Sequence, residues 1–203
     1  TCIVVDPWGD ASGDGKLRGF DASQILFHAV DIGPPLSGLD SLAANVDELA
    51  PFGPINEFDA SLVLQKRVGL IDNFPVQEKT AHNHPQPESG QSAPKRSTAE
   101  RIVALEEGPG HLALVAAERA GIVAGELVVR GFNGRVAMAD ELGDFLVVAA
   151  RSGAGMRIVF AGARSAAGPG ALVRLFPAAG DRVELVRATF NGGGIVGRLE
   201  GDR

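Results

Sequence analysis

The sequence has no tyrosine, one tryptophan (Trp8) and one cysteine (Cys2) among its 203 residues. A single cysteine excludes an internal disulfide. Cys2 lies next to the first residue with no histidine near it in the sequence, so it reads as a boundary residue rather than a nucleophile. The shortage of Trp and Tyr weakens any case for a sugar-stacking platform in the second half. There Phe132, Phe145, Phe160, Phe176 and Phe190 are expected to be core. Apolar runs such as 146–150 are far shorter than the ~20 residues a spanning helix needs, so no membrane partner is expected. A charged n-region followed by an apolar h-region is also missing, and the chain begins at Thr1. A longer gene product, with any export signal upstream, is therefore expected. Residues 98–203 contain no lysine, and no basic stripe with interleaved aromatics occurs anywhere, which argues against nucleic-acid binding.

What is present divides the chain into three zones. Residues 1–77 carry eleven Asp/Glu against four Lys/Arg, an acidic balance that favours a hard cation. Residues 78–97 contain Pro85, Pro87 and Pro94 and almost nothing apolar, which is the composition of an extended linker. His82 and His84 fall here, too isolated to make a metal site. Residues 98–203 hold twelve charges of each sign and short Val/Leu/Ala-rich runs. Nine such runs, at 102–106, 112–117, 126–132, 136–139, 145–150, 157–161, 172–176, 183–190 and 195–199, predict an all-β jelly-roll sandwich. Asn133-Gly134 predicts a hairpin turn, and the glycine-rich stretch 151–155 predicts another.

The first zone repeats itself. Phe20-Asp21-Ala22-Ser23-Gln24-Ile25-Leu26 returns 38 residues later as Phe58-Asp59-Ala60-Ser61-Leu62-Val63-Leu64. Apolar residues recur near helical spacing in each copy, so two amphipathic helices are expected to bury their stripes against each other. Gly33 and Gly69 are placed to stop them.

The sharpest chemistry lies just before the first copy. Calcium takes six to eight oxygens from a tight loop, and a twelve-residue EF-hand loop supplies them from alternating positions. Asp10, Ser12 and Asp14 stand at positions 1, 3 and 5, Gly15 at the sharp turn, and Lys16 at the position that offers a backbone carbonyl. Leu17 follows as a core plug, and Asp21 closes the loop. Arg18, at position 9, is no ligand, and a water is expected there. Counting back from Asp59 gives the second copy Glu48, Ala50 and Phe52 at positions 1, 3 and 5, a degraded loop expected to be a structural replica. Asn45 and Asp47 can serve as first ligands only if that loop carries an insertion.

These motifs resemble a type I dockerin over residues 10–75, with Asp21–Leu26 and Asp59–Leu64 matching its helix start. The resemblance implies an EF-hand pair that docks onto cohesin domains. It also implies that Gly19, Phe20, Ala22 and Ser23, and Glu57, Phe58, Ala60 and Ser61, help choose the partner. The third zone is similar to a cohesin or a carbohydrate-binding module. The expectation is thus a non-catalytic, calcium-dependent docking protein of an extracellular, cellulosome-like assembly. Its partners would be cohesin or dockerin domains of other proteins, with polysaccharide as a further candidate. The alternatives are a carbohydrate-binding module with an attached dockerin, or the C-terminal part of a glycoside hydrolase. Docking within the chain would beat docking between chains unless geometry forbids it, but partners in other proteins are expected, because a self-occupied module assembles nothing.

Overall fold

Two helices of identical length open the architecture, because the repeated sequence sets an aspartate at the third position of each and the same apolar spacing behind it. The computed structural model describes residues 8–47, 54–77, 99–153, 155–165 and 167–199. Helix α1 (Gly19–Ala29) and helix α3 (Glu57–Arg67) each start where an aspartate three residues in accepts a backbone N–H from the cap residue. Each ends in a paired set of backbone bonds around a left-handed residue. In α3 that residue is Gly69, as expected. In α1 it is Asp31, not Gly33, and Asp31 is the repeat partner of Gly69. A short polar side chain tolerates the left-handed region well enough to substitute.

Ala22, Ile25, Leu26 and Ala29 of α1 pack with Ala60, Val63 and Leu64 of α3 in one cluster, completed by Val46 and Phe74. An additional short helix, α2 (Gly38–Ala44), lies between the two repeats and was not expected from the sequence. Its seven residues are too few to show a clear 3.6 period.

Nine strands follow: β1 (Ala99–Gly108), β2 (His111–Ala116), β3 (Ala124–Arg130), β4 (Arg135–Met138), β5 (Leu146–Ser152), β6 (Gly155–Ala161), β7 (Gly170–Phe176), β8 (Glu184–Phe190) and β9 (Ile195–Leu199). Their order is β4-β7-β2-β1-β9-β8-β3-β6-β5, with every pair antiparallel except β1 and β9. Leu114 and Leu172 from one half share a core with Leu127, Ile158, Phe160 and Phe190 from the other. The sheet therefore folds over on itself as a β-sandwich, and the edge strands β4 and β5 approach each other. Four of the five phenylalanines expected in the core are buried there, and Phe176 is half-buried beneath the Arg135 guanidinium.

One turn expectation fails. Asn133-Gly134 joins β3 to β4, but those strands do not pair, because β4 adds to β7 instead. The segment is a crossing between layers, held where Asp181 accepts bonds from the Asn133 backbone and side-chain amides. Gly134 sits against the Phe176 carbonyl, where a Cβ would collide. The sequence signal was for local flexibility, and the tertiary contact decided how it was used. The glycine-rich turn after β5 does close a hairpin, with Ser152 paired to Gly155.

Arg119 is a small fixed point of the sandwich. It is buried, and its guanidinium donates to the carbonyls of Ala167, Gly168 and Ala171. Arg119→Ala is expected to destabilise the sandwich by about 2–3 kcal/mol, since three charge-assisted hydrogen bonds of a buried guanidinium are removed together. Denaturant unfolding followed by hydrogen exchange of the strand amides measures it, and an unchanged midpoint would contradict the assignment.

Candidate functional site

The first loop is built around two carboxylates. One Asp10 carboxylate oxygen accepts from the Ser12 hydroxyl at 3.2 Å and from the Asp14 backbone N–H at 3.2 Å, and the other accepts from the Gly15 N–H at 2.7 Å. Asp21, fully buried, accepts from the Ser12 N–H at 3.1 Å and from the Arg18 N–H at 2.7 Å. The chain thus wraps Asp10 and is tied shut by Asp21. Gly15 takes a φ of +77°, which the sharp turn requires and a side chain would resist.

Not every expected ligand converges. Asp14 is partly exposed and ion-paired with Arg18 at 3.1 Å. Arg18 therefore engages the position-5 carboxylate rather than simply leaving its place to water. Among the described residues no three acidic, His or Cys side chains gather around a common point. What the loop does present is hard oxygen: the carboxylates of Asp10, Asp14 and Asp21, the Ser12 hydroxyl and the Lys16 carbonyl. That chemistry suits calcium, provided Asp14 turns from Arg18 toward Asp10.

The second loop follows the same plan in a different register. Asp59 accepts from the Asp47 N–H at 3.0 Å with one oxygen and from the Asn56 N–H at 3.0 Å with the other. These bonds match those from Ser12 and Arg18 to Asp21. Arg18 and Asn56 are 38 residues apart, whereas Ser12 and Asp47 are 35 apart, so the second loop holds three extra residues. The insertion corrects the count back from Asp59: Asn45 and Asp47 stand at positions 1 and 3, and Glu48 and Ala50 do not. Glu48, Ala50 and Phe52 themselves lie outside the described residues, as do Cys2, His82, His84 and the linker segment 78–97.

Asn45, Asp47 and Asp59 are all buried. Burial pushes the Asp59 carboxyl from 3.8 up to about 7, and the nearby Asp47 pushes the same way. Bonds from the backbone of Asn56, Asp47 and Val46 only partly offset this.

The helices do not stand clear of the sandwich. The Ser61 hydroxyl donates to the Gly162 carbonyl at 2.7 Å, in a buried contact, and itself accepts from the Gln65 amide at 3.0 Å. The Glu57 carboxylate accepts from the Gly192 N–H at 3.1 Å. Burial raises the Glu57 pKa, and only the backbone bonds and Arg157 work against that. At the other end of the contact, Asp31 at the close of α1 lies 4.0 Å from Arg157, whose guanidinium also holds Glu126 at 3.0 Å. Ala124, Val159 and Ala161, on the outer face of β3 and β6, are buried in the same cluster as Ile25, Val63 and Leu64.

Of the residues the dockerin resemblance marks for partner choice, Glu57, Phe58 and Ser61 of the second copy sit at this contact. Phe20 of the first copy is 57% exposed, and the Ser23 hydroxyl donates to its own helix at the Gly19 carbonyl. The sandwich side of the contact was missed in the sequence. The available signal was the unbroken apolar character of β5 and β6, since a strand covered on both faces does not alternate.

Fold and site together define a duplicated loop-and-helix unit seated on the face of a β-sandwich. No family model and no curated protein matches the chain. Among solved structures it is similar to the non-cellulosomal cohesin from the hyperthermophilic archaeon Archaeoglobus fulgidus, at 11% identity and a TM-score of 0.34, over 51% of this chain and 85% of that one.

Proposed function

We propose that this chain is a non-catalytic, calcium-dependent docking protein of an extracellular assembly, combining a dockerin-like helical module with a cohesin-like sandwich. The observation that carries the reading is the seating of the second repeat's Glu57, Phe58 and Ser61 on the β3–β6 face. A short motif whose serine and carboxylate meet backbone groups of a small-residue sheet supports a recognition surface. Calcium, where bound, is held by Asp10, Ser12, Asp14, the Lys16 carbonyl and Asp21. Its charge offsets the mutual repulsion of those carboxylates and stiffens the start of α1.

The test is retention of the intact chain, with calcium and with chelator, on immobilised cohesin and dockerin modules and on insoluble cellulose and chitin. Calcium-dependent retention on the modules alone is expected. Retention on polysaccharide alone would instead favour a carbohydrate-binding module.

A further inference from the structure

We propose that the helical module is the partner of its own sandwich: a self-docked latch that keeps the outer face of β3, β6 and β5 closed to any competing helical module. The inference rests on the docking reading above and names its first occupant.

Four observations carry it. The sandwich has a core of its own, since the cluster of Leu114, Leu127, Ile158, Phe160 and Phe190 includes no residue of α1, α2 or α3. The sandwich therefore needs nothing from the helices to fill its interior. The shared surface on the sheet is built from small or short apolar residues, Ala124, Val159 and Ala161, edged by Leu146, Val148 and Ala150. Small side chains let a helix approach closely without interdigitating deeply, as a separable contact requires. The rim is polar and specific: Ser61 to the Gly162 carbonyl, Glu57 to the Gly192 N–H, and Asp31 beside Arg157. Finally, β8 turns Glu184, Val186 and Arg187 outward and reads as a half-exposed strand, while β5 and β6 are apolar almost throughout. The sheet is thus hydrophobic on its outer face chiefly where the helices cover it.

Both helices lean on the sheet: α1 also meets β5 and β6, while Phe20 of its own Phe-Asp-Ala-Ser motif stays exposed. The two halves are joined through the chain between residues 77 and 99, so their encounter is intramolecular, with an effective concentration in about the millimolar range. An outside module of equal affinity loses to the tethered one unless the latch is weakened. This departs from the expectation of partners only in other proteins: the contact is made within one chain.

The experiment cuts the tether in the folded protein. A protease recognition sequence is inserted in segment 78–97, the intact chain is purified and cleaved, and the pieces are run on size exclusion at about 10 µM in calcium. Co-elution is expected for the wild type. Ser61→Arg, and separately Ala161→Arg from the opposite wall, should weaken the association by about 100-fold and part the pieces. Hydrogen exchange at Leu127 and Ile158 should stay slow in both variants. Wild-type pieces that part at 10 µM overturn the latch. So do variant pieces that remain together, or a wild-type complex that separates only as the β core unfolds. Parted wild-type pieces alongside successful retention on immobilised modules would sink the latch and leave the docking reading standing. Co-elution with no retention even of the unlatched chains, Ser61→Arg on dockerin modules and Ala161→Arg on cohesin modules, would keep the latch and sink the assembly role.

Discussion

Calorimetric titration of the intact chain with calcium is expected to show one strong site, and Asp14→Ala combined with Asp21→Ala to abolish it. The first loop explains why. Asp10 is already wrapped by the Ser12 hydroxyl and by the N–H groups of Asp14 and Gly15, so binding needs little rearrangement of the backbone. Asp21 closes the loop from the start of α1 and is fully buried. Asp14 is the movable part, because its bond to Arg18 is exposed and such pairs contribute only ~0–1 kcal/mol. Arg18→Ala is accordingly expected to raise calcium affinity several-fold by freeing the Asp14 carboxylate. Two equal sites in the wild type would mean that Asn45, Asp47 and Asp59 also recruit the cation. Full affinity in the double variant would remove the first loop from consideration.

In chelator, the helical module is expected to lose stability as pH rises from about 4 to about 7, while the sandwich does not. Asp59 carries the argument. Its folded-state pKa is raised from 3.8 to about 7 by burial, and then by Asp47. The folded state therefore holds a proton that the unfolded chain releases more readily. The stabilisation is complete below the unfolded value, declines as pH climbs through the window, and is gone above the folded value. Glu57 shifts in the same direction, also through burial, which adds to the trend at the docked face. In the sandwich, Asp140 and Asp181 shift the opposite way, lowered chiefly by bonds from Arg174 and from Asn133 respectively. Their contribution is present above the usual carboxylate range and lost in acid. Thermal melts followed by helical circular dichroism at pH 5.0 and 7.5 measure the effect. Asp59→Asn should flatten the dependence. A helical transition that does not move between the two pH values, or that moves equally in Asp59→Asn, would contradict this account of the second loop.

Much of the fold was legible because it is written in local periodicity. All nine strands fall where short apolar runs between glycines place them, and both long helices fall on the repeated motif. The loop that wraps Asp10 was legible for the same reason, since its ligand positions are fixed by spacing along twelve residues. Neither the second-loop register nor the use of Asn133-Gly134 was. The register of the second loop depends on which backbone N–H groups reach Asp59, and a count along the sequence cannot see a three-residue insertion. The use of Asn133-Gly134 depended on β4 finding β7 rather than β3.

By itself, then, the sequence determined the duplicated helices, the oxygen-rich loop and a nine-stranded β domain, because each follows from contacts between near neighbours. Only the tertiary structure decided that the second repeat's Ser61 and Glu57 meet the sheet at Gly162 and Gly192. Those pairs are separated by about a hundred residues and more, and neither partner carries a local mark of the other. Such a contact is selected by the fit of two finished surfaces: a helix end with one serine and one carboxylate, and a sheet face lined by alanine and valine.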